Sequence, residues 1–452
     1  MRRYVRRFRG GRLAAGILLC GLGAGVGWSA SAEAPLRLTL EACIARAQAA
    51  SVPLANARRD EEIAAARIGE VRAQVLPQLD ATAAYRRLEE GPLGIGGPDQ
   101  LGNRDQYGAE VGLGQLLYRG GSVQAALQAA ALYRDAAALG TARMQDVIQR
   151  EVTVAFHTAL LAAANRQVAE ESVAQMRAFA EQTRLRFEQG AAAEFDWLSA
   201  QVKLANEVPR AVRAANDAEL ALEALRQWLY LDDEAAFEIV PPPPPPPRQA
   251  ELAPLQVAAL AQREDLQAAR ARLLISDQEI RVSQGDYLPA VSLFANYAGQ
   301  NPERNDPTVS RWDWQWSAGV QARWSLLDGG LRRAELRRKT IERAQELAAL
   351  DDLERTIRLE VRRIYLDWQA ALATWRSTAD SVDLARRATE IARVRYEQGL
   401  ATTLEVSDSQ LALSAAQLLH NTAQTDVEIA LADLRLATGQ SSLDWPPPEL
   451  NP

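Results

Sequence analysis

The stretch WQWSAGVQARW, from Trp314 to Trp324, alternates apolar and polar side chains along its whole length. In an extended strand this period places the Trp, Ala and Val side chains on one face and the Gln, Ser, Gly and Arg residues on the other. Such alternation over about ten residues, with aromatic residues near the ends, is typical of a membrane β-barrel strand. A half-buried strand of a soluble sheet has the same period. It rarely carries this many tryptophans on its apolar face, which favours contact with lipid.

The same alternation appears in three other segments, at residues 79–86, 107–115 and 291–297. The sequence therefore predicts four strands, at about 77–87, 106–117, 289–298 and 313–326. Aromatic side chains near strand ends are typical anchors at a membrane interface. The candidate anchors are Trp312, Trp314, Trp316, Trp324 and Tyr107.

Very long helices follow the paired strands. Residues 331–398 contain neither Gly nor Pro, and their apolar positions recur at intervals of three and four, as in an amphipathic helix or a coiled-coil seam. A helix of that length spans about 100 Å. We predict long helices at 121–189 and 330–398, each followed by a shorter helix, at 194–232 and 402–437. The fold class is therefore an α+β membrane protein with a helical coiled-coil body.

Four strands are too few to close a barrel, and an open sheet edge in lipid leaves backbone groups without hydrogen bonds. At least two chains must therefore share one barrel, and three chains would supply twelve strands. The long helices would then continue the barrel wall as a hollow trimeric tube.

The sequence contains an internal repeat. LPQLDATAAY (76–85) matches LPAVSLFANY (288–297), and RFEQG (186–190) matches RYEQG (395–399) at a spacing of 209. The repeat predicts two structural copies, at 33–240 and 251–440, with a tail at 441–452. Seven consecutive prolines, Pro241 to Pro247, lie in the intervening segment 241–250. We interpret this segment as a polyproline II linker.

Residues 1–32 are typical of a signal peptide, with a basic start, a short apolar core and the small residues Ala30-Ser31-Ala32 at a possible cleavage site. Leu19 before Cys20 does not fit a lipidation motif, so we expect no lipid anchor. Removing this segment takes away six arginines and no acids, which changes the net charge from −7 to −13. An acidic mature chain argues against nucleic acid as a partner.

The sequence offers no catalytic constellation. His157 and His420 have no metal-ligand spacing, and Cys43 alone cannot form an internal disulfide. No nucleotide loop is present, and no nucleophile has a neighbouring base. We therefore expect no enzymatic activity, no cofactor and no metal site. The competing interpretation is a soluble periplasmic coiled-coil scaffold or adaptor, which leaves the duplicated strands and the tryptophans unexplained.

The ordered set of motifs resembles the TolC-like outer membrane efflux proteins, also called outer membrane factors. LRLTLEACIARAQAAS (36–51) is similar to that family's opening helix, and DLQAA (265–269) opens its counterpart in the second copy. The two Leu-Pro segments and LLDGG (326–330) resemble its strand entries and strand-to-helix turns. The resemblance implies a homotrimer with a twelve-stranded barrel in outer membrane lipid and a helical tunnel through the periplasm. It also implies docking onto a periplasmic adaptor (membrane fusion) protein and an inner-membrane transporter of the RND or ABC class. The chain would then be the exit duct of a tripartite efflux pump or a type I secretion system.

By the same resemblance, RFEQG and RYEQG form hairpin tips at the periplasmic mouth, where the adaptor docks. The implied docking residues are Arg186, Phe187, Gly190, Arg395 and Gly399. A purely structural interpretation also fits, since glycine ends helices and a cation suits the last helical turn. Capping alone leaves the aromatic residues of the two tips unexplained.

The resemblance further implies a gate downstream of the tips. The candidate gate residues are Glu405, Asp408, Asp196 and Tyr396. Three chains would bring Glu405 and Asp408 into a ring of carboxylates that favours cations. Thr402 also makes a capping box with Glu405, so Glu405 could simply cap a helix. A basic residue that latches the mouth in related proteins is replaced by Ala401. We therefore expect a hydrogen bond from Tyr396 to Asp196 to take its place.

Overall fold

The computed structural model describes residues 36–90, 102–232, 236–243 and 250–440. The predicted signal peptide, the tail at 441–452 and most of the polyproline linker lie outside these residues. None of the helices in the described ranges is long and apolar enough to cross a membrane.

The two halves of the chain have the same order of elements. The first contains α1 (Leu40–Ala50), α2 (Val52–Ala73), β2 (Gln78–Arg87), β3 (Asp105–Arg119), α3 (Ser122–Glu188) and α4 (Glu194–Leu229). The second contains α5 (Leu252–Gln262), α6 (Glu264–Gly285), β5 (Ala290–Asn301), β6 (Asp313–Arg323), α7 (Leu331–Glu397) and α8 (Thr403–Thr438). Matching helices have identical lengths: α3 and α7 have 67 residues each, and α4 and α8 have 36 each. The two halves therefore share one layout of helices and long strands.

Some bounds differ from the sequence-based expectations. Helix α4 ends at Leu229 and not at 232, because Tyr230 adopts a left-handed backbone with φ of 49°. Two short strands that the sequence did not predict, β1 (Leu36–Leu38) and β4 (Phe237–Ile239), pair in parallel and join the ends of the first half. Strand β6 ends at Arg323 and not at 326. Trp324 therefore lies beyond the strand, where its indole Nε1 donates to the carbonyl of Tyr287 at 3.1 Å.

The four long strands form one antiparallel sheet in the order β2-β3-β5-β6. The register pairs Ala81 with Val111, Val111 with Tyr297, and Tyr297 with Trp316. Because residues two apart share a face, this register places the apolar sides of all four strands on one face of the sheet. Among the strands that the structure describes, β2 and β6 lie at the two edges of this sheet.

Each strand pair continues into a helix through a double-glycine turn. Gly120 and Gly121 precede α3, and Gly329 and Gly330 precede α7; all four have positive φ. At Gly120 a side chain is also excluded by space, since a Cβ atom would lie 2.2 Å from the carbonyl oxygen of Gly285.

In the described residues, buried apolar side chains form three separate clusters along the helical body. One surrounds Phe156 and joins α1, α3 and α4, and a second surrounds Ile357 and joins α5, α7 and α8. The third lies where α3 and α4 meet α7 and α8 near the hairpin tips, and consists of Phe179, Ala180, Ala200, Tyr396 and Val406. We call it the tip cluster.

Candidate functional site

Both hairpin tips end their long helices with the same hydrogen-bonded turn. In the first tip the amide of Gly190 donates to the Phe187 carbonyl at 2.9 Å, and the amide of Ala191 donates to the Arg186 carbonyl at 2.8 Å. The second tip repeats this pattern around Gly399. These two bonds define a Schellman motif, which needs a left-handed residue at the glycine position. Gly190 and Gly399 provide it, with φ of 70° and 74°.

Arg186 joins the two tips. Its guanidinium donates to the carbonyls of Tyr396 and Glu397, at 2.9 and 3.0 Å, and lies 4.5 Å from the centre of the Tyr396 ring. These are the last carbonyls of α7, where a cation complements the negative end of the helix dipole. Arg186 therefore caps the helix of the other copy and not its own.

Arg395 is at the matching position of the second tip but has different partners. It donates to the carbonyl of Leu400, five residues further along, at 3.1 Å. Its guanidinium also lies 3.8 Å from a carboxylate oxygen of Glu405, and its side chain is 54% exposed. The same residue type in the same turn thus makes a contact between tips in one copy and only local contacts in the other.

Tyr396 is buried in the tip cluster and does not bond Asp196. Its hydroxyl lies 3.3 Å from the Thr183 hydroxyl, and its ring is 5.3 Å from that of Phe179. The predicted Tyr396–Asp196 hydrogen bond is therefore wrong for this structure, because the Tyr396 side chain packs against α3, whereas Asp196 is in the first turn of α4.

Asp196 instead accepts a hydrogen bond from the Thr403 hydroxyl at 2.9 Å, which joins α4 of the first hairpin to α8 of the second. A second link lies next to it. The Lys203 ammonium on α4 bonds the Ser407 hydroxyl and lies 3.8 Å from the Asp408 carboxylate on α8. An ionic contact between the hairpins therefore exists, from a residue that the sequence analysis did not single out.

Glu405 takes part in the predicted helix cap. Thr402 is the N-cap of α8, and its hydroxyl oxygen accepts from the Glu405 amide at 3.2 Å. The Thr402 hydroxyl also lies 3.3 Å from a Glu405 carboxylate oxygen. The cap engages the backbone amide of Glu405, and the Glu405 carboxylate remains half-exposed.

Phe187 stacks on Trp197 within the first tip, with ring centres 5.6 Å apart and planes 11° apart. Trp197 was missed by the sequence analysis, since nothing in the repeat marks it: the matching residue in the second copy is Val406. Both aromatic rings are half-buried in the single chain.

The predicted aromatic anchors lie in or beside the sheet. Trp314 stacks between Trp312 and Tyr297, with ring centres at 5.5 and 5.0 Å, and Tyr107 contacts Tyr85 at 5.2 Å. All five anchors are exposed, and Trp316 is 78% exposed. Within the described part of the chain, no group of His, Cys, Asp and Glu residues could hold a metal ion.

Comparison with known proteins assigns a family. The family model described as "Outer membrane efflux protein" matches residues 43–229 and again 255–440, once in each half and together most of the chain.

Two curated relatives are similar over long stretches. The alkaline protease secretion protein AprF of Pseudomonas aeruginosa is 26% identical over 306 residues, which cover 65% of this chain and 62% of AprF. The outer membrane protein TolC of Vibrio cholerae is 26% identical over 379 residues, which cover 82% of this chain and 84% of TolC. Among solved structures, the Campylobacter jejuni CmeC outer membrane channel superposes with a TM-score of 0.75 at 16% identity, over 89% of this chain and 87% of CmeC. That likeness concerns the fold.

Proposed function

Because the chain belongs to the outer membrane efflux protein family, we propose that three copies form a channel-tunnel. Its sheets would close a twelve-stranded barrel in the outer membrane, and its helices would form a tunnel through the periplasm. The duct would carry cargo delivered by an inner-membrane transporter. Relatives include a secretion protein and outer membrane channels, so efflux and type I secretion are both compatible with this role.

The exposed apolar face of the four-stranded sheet is the observation that carries this proposal. Leu79, Val320 and Trp316 on that face are 71%, 64% and 78% exposed in the single chain. The removal of this much apolar surface from water requires lipid or protein. The edge strands β2 and β6 also need partners, which a neighbouring copy would provide.

Fractionation and electrophysiology test the proposal directly. We expect the full chain to fractionate with the outer membrane, to purify in detergent as a trimer and to form ion-conducting pores in planar lipid bilayers. Release by osmotic shock as a soluble protein would refute it and support a periplasmic scaffold.

We further propose that the contacts between α4 and α8 hold the periplasmic mouth closed. The Thr403–Asp196 and Lys203–Asp408 pairs both link one hairpin to the next, so they would break if the hairpins moved apart. Glu405 and Asp408 would contribute carboxylates to the mouth, and Tyr396 would hold the hairpins together through the tip cluster.

The adaptor would dock on the outside of the tips. Gly190 and Gly399 are exposed and leave open space beside their backbones, which suits close approach by another protein. Cross-linking from residues at these turns in living cells would test this, with identification of the captured protein by mass spectrometry. Capture of an adaptor together with its transporter would also identify the transporter class. Absence of capture at the tips, combined with capture along the helical body, would refute this docking site.

A further inference from the structure

The guanidinium of Arg186 crosses from the first tip to the second. This suggests a matching contact of Arg395, which would form between two chains. Arg186, Phe187 and Glu188 correspond to Arg395, Tyr396 and Glu397 at the constant spacing of 209. Inside the chain, Arg186 reaches the end of α7. The end of α3 has the same Schellman turn and the same need for a cation, but the matching Arg395 does not reach it.

We propose that Arg395 of one protomer caps α3 of the next protomer. Its guanidinium would donate to the carbonyls of the partner's Phe187 and Glu188 and lie over the Phe187 ring. This proposal rests on the proposed trimer, in which six hairpins form a ring and each contact inside a chain has a counterpart between chains.

Side-chain volumes at the tips support this pairing. Inside the chain, the contact between hairpins contains Phe179 and Tyr396 with the smaller Val406. The corresponding positions for the contact between chains are Ala388, Phe187 and Trp197. Each set contains two aromatic residues and one smaller residue. The Phe179–Tyr396 pair spans two hairpins, whereas Phe187 and Trp197 stack within the first tip and would together face Ala388 of the next protomer.

The pairing also explains the exposure of the residues involved. Phe187 and Trp197 are half-buried, and Ala388 is exposed, whereas Tyr396 is only 5% exposed. A neighbouring protomer would cover Phe187 as α3 covers Tyr396. The small side chain of Ala388 would leave room for the stacked rings of Phe187 and Trp197.

Charge is consistent with the same arrangement. Arg395 is 54% exposed, and one hydrogen bond to the Leu400 carbonyl and a 3.8 Å ion pair hold it locally. Exposed ion pairs of this kind contribute little to stability, so their exchange for two carbonyl bonds at a helix end costs little.

Site-specific cross-linking tests the proposal in the purified full-length protein. The chain has two lysines, Lys203 and Lys339, so an introduced lysine can be targeted with few competing amines. We would combine Arg395→Lys with Glu188→Cys and apply a short linker that reacts with one thiol and one amine. Cys43 is buried and contributes little background. The matched control is Arg186→Lys with Glu397→Cys, which should cross-link within one chain.

We expect dimers and trimers in denaturing gels from the Arg395→Lys pair, and cross-linked monomers from the control. The proposal is refuted if the trimer is intact and the control reacts, but the Arg395→Lys pair gives no product above that of Glu188→Cys alone. Absence of any trimer refutes the proposed function as well, which separates the two failures.

A second measurement separates the contact between chains from the local role of Arg395. Arg395→Gln should accelerate dissociation of the trimer in mild detergent by about tenfold, if each of three caps contributes two- to threefold. Arg393→Gln removes a neighbouring exposed arginine whose ion pairs, with Glu390 and Glu397, lie within α7, and it should change the rate by less than about twofold. Equal acceleration by both variants would mean that Arg395 acts only locally, and would refute the proposal.

Discussion

In the proposed channel, replacement of Lys203 by methionine should open the periplasmic mouth. Lys203 bonds Ser407 and faces the Asp408 carboxylate at 3.8 Å, and these contacts join α4 to α8. Methionine keeps most of the length and the apolar stem of lysine and removes only the ammonium group. Any effect therefore reports on the charge and its hydrogen bond.

The magnitude follows from the exposure of the pair. Two unit charges about 4 Å apart attract by about 4 kcal/mol at an effective dielectric constant of about 20. Asp408 is 62% exposed and Lys203 is 24% exposed, so solvent screening reduces this strongly. Measured pairs of this kind contribute about 0.5 kcal/mol. Three copies in a trimer would contribute about 1.5 kcal/mol, which raises the open-to-closed ratio about tenfold.

Single-channel recording in planar lipid bilayers measures this ratio. We expect the open fraction of Lys203→Met to rise about tenfold over the unmodified protein, and that of Lys203→Arg to change much less. Asp408→Asn should have an effect similar to that of Lys203→Met, and the double variant should add little. An open fraction within twofold of the unmodified protein for Lys203→Met would refute the reasoning, as would full additivity of the two changes.

Three other outcomes concern stability, measured by thermal unfolding of the purified protein. Gly120→Ala should lower the free energy of unfolding by roughly 3 kcal/mol or more, because its Cβ would lie 2.2 Å from the Gly285 carbonyl oxygen. Gly121→Ala has open space around its Cβ and should lower it by only about 1 kcal/mol, through backbone strain. Arg263→Met should lower the free energy of unfolding by about 2–3 kcal/mol. It removes the buried guanidinium that lies 2.6 Å from the carboxylates of both Asp265 and Glu360. Burial, and then the nearby charge of Glu264, raise the pKa of Asp146 to about 6. The folded state therefore binds this proton more tightly than the unfolded state, and stability falls as the pH rises from about 4 to about 6. Asp146→Asn should stabilise the protein by roughly 1–2 kcal/mol at pH 7 and have no such effect at pH 4; equal effects at both values would contradict this assignment.

Much of the architecture can be read from the sequence, because it depends on periodicity. The alternation in Trp314–Trp324 corresponds to strand β6. The run without Gly or Pro corresponds to helix α7, whose ends lie within one residue of the predicted 330–398. The positions of Gly190 and Gly399 predicted both tips, because the left-handed backbone that ends each long helix favours glycine.

Contacts between the hairpins were harder to predict, because they depend on how the helices rotate against each other. The sequence shows the same arginine in both tips, yet only Arg186 crosses to the other tip in the chain. Lys203 belongs to no motif, and Tyr396 was paired with Asp196 although Thr183 lies beside its hydroxyl. These partners are set by packing between distant segments, and the period of a helix does not specify them.

In the proposed trimer, the local and the interchain positions of Arg395 connect assembly with the charge of the proposed mouth. A guanidinium that caps the partner's α3 can no longer stay 3.8 Å from Glu405. Asp408 keeps Lys203 in either case, because that pair lies within one chain. The proposed ring would then contain two kinds of carboxylate. The three Asp408 side chains keep Lys203 as their partner, and the three Glu405 side chains lose Arg395 when the trimer closes. Glu405 would carry most of the negative potential, and the same arginine that joins the protomers would expose it to the channel.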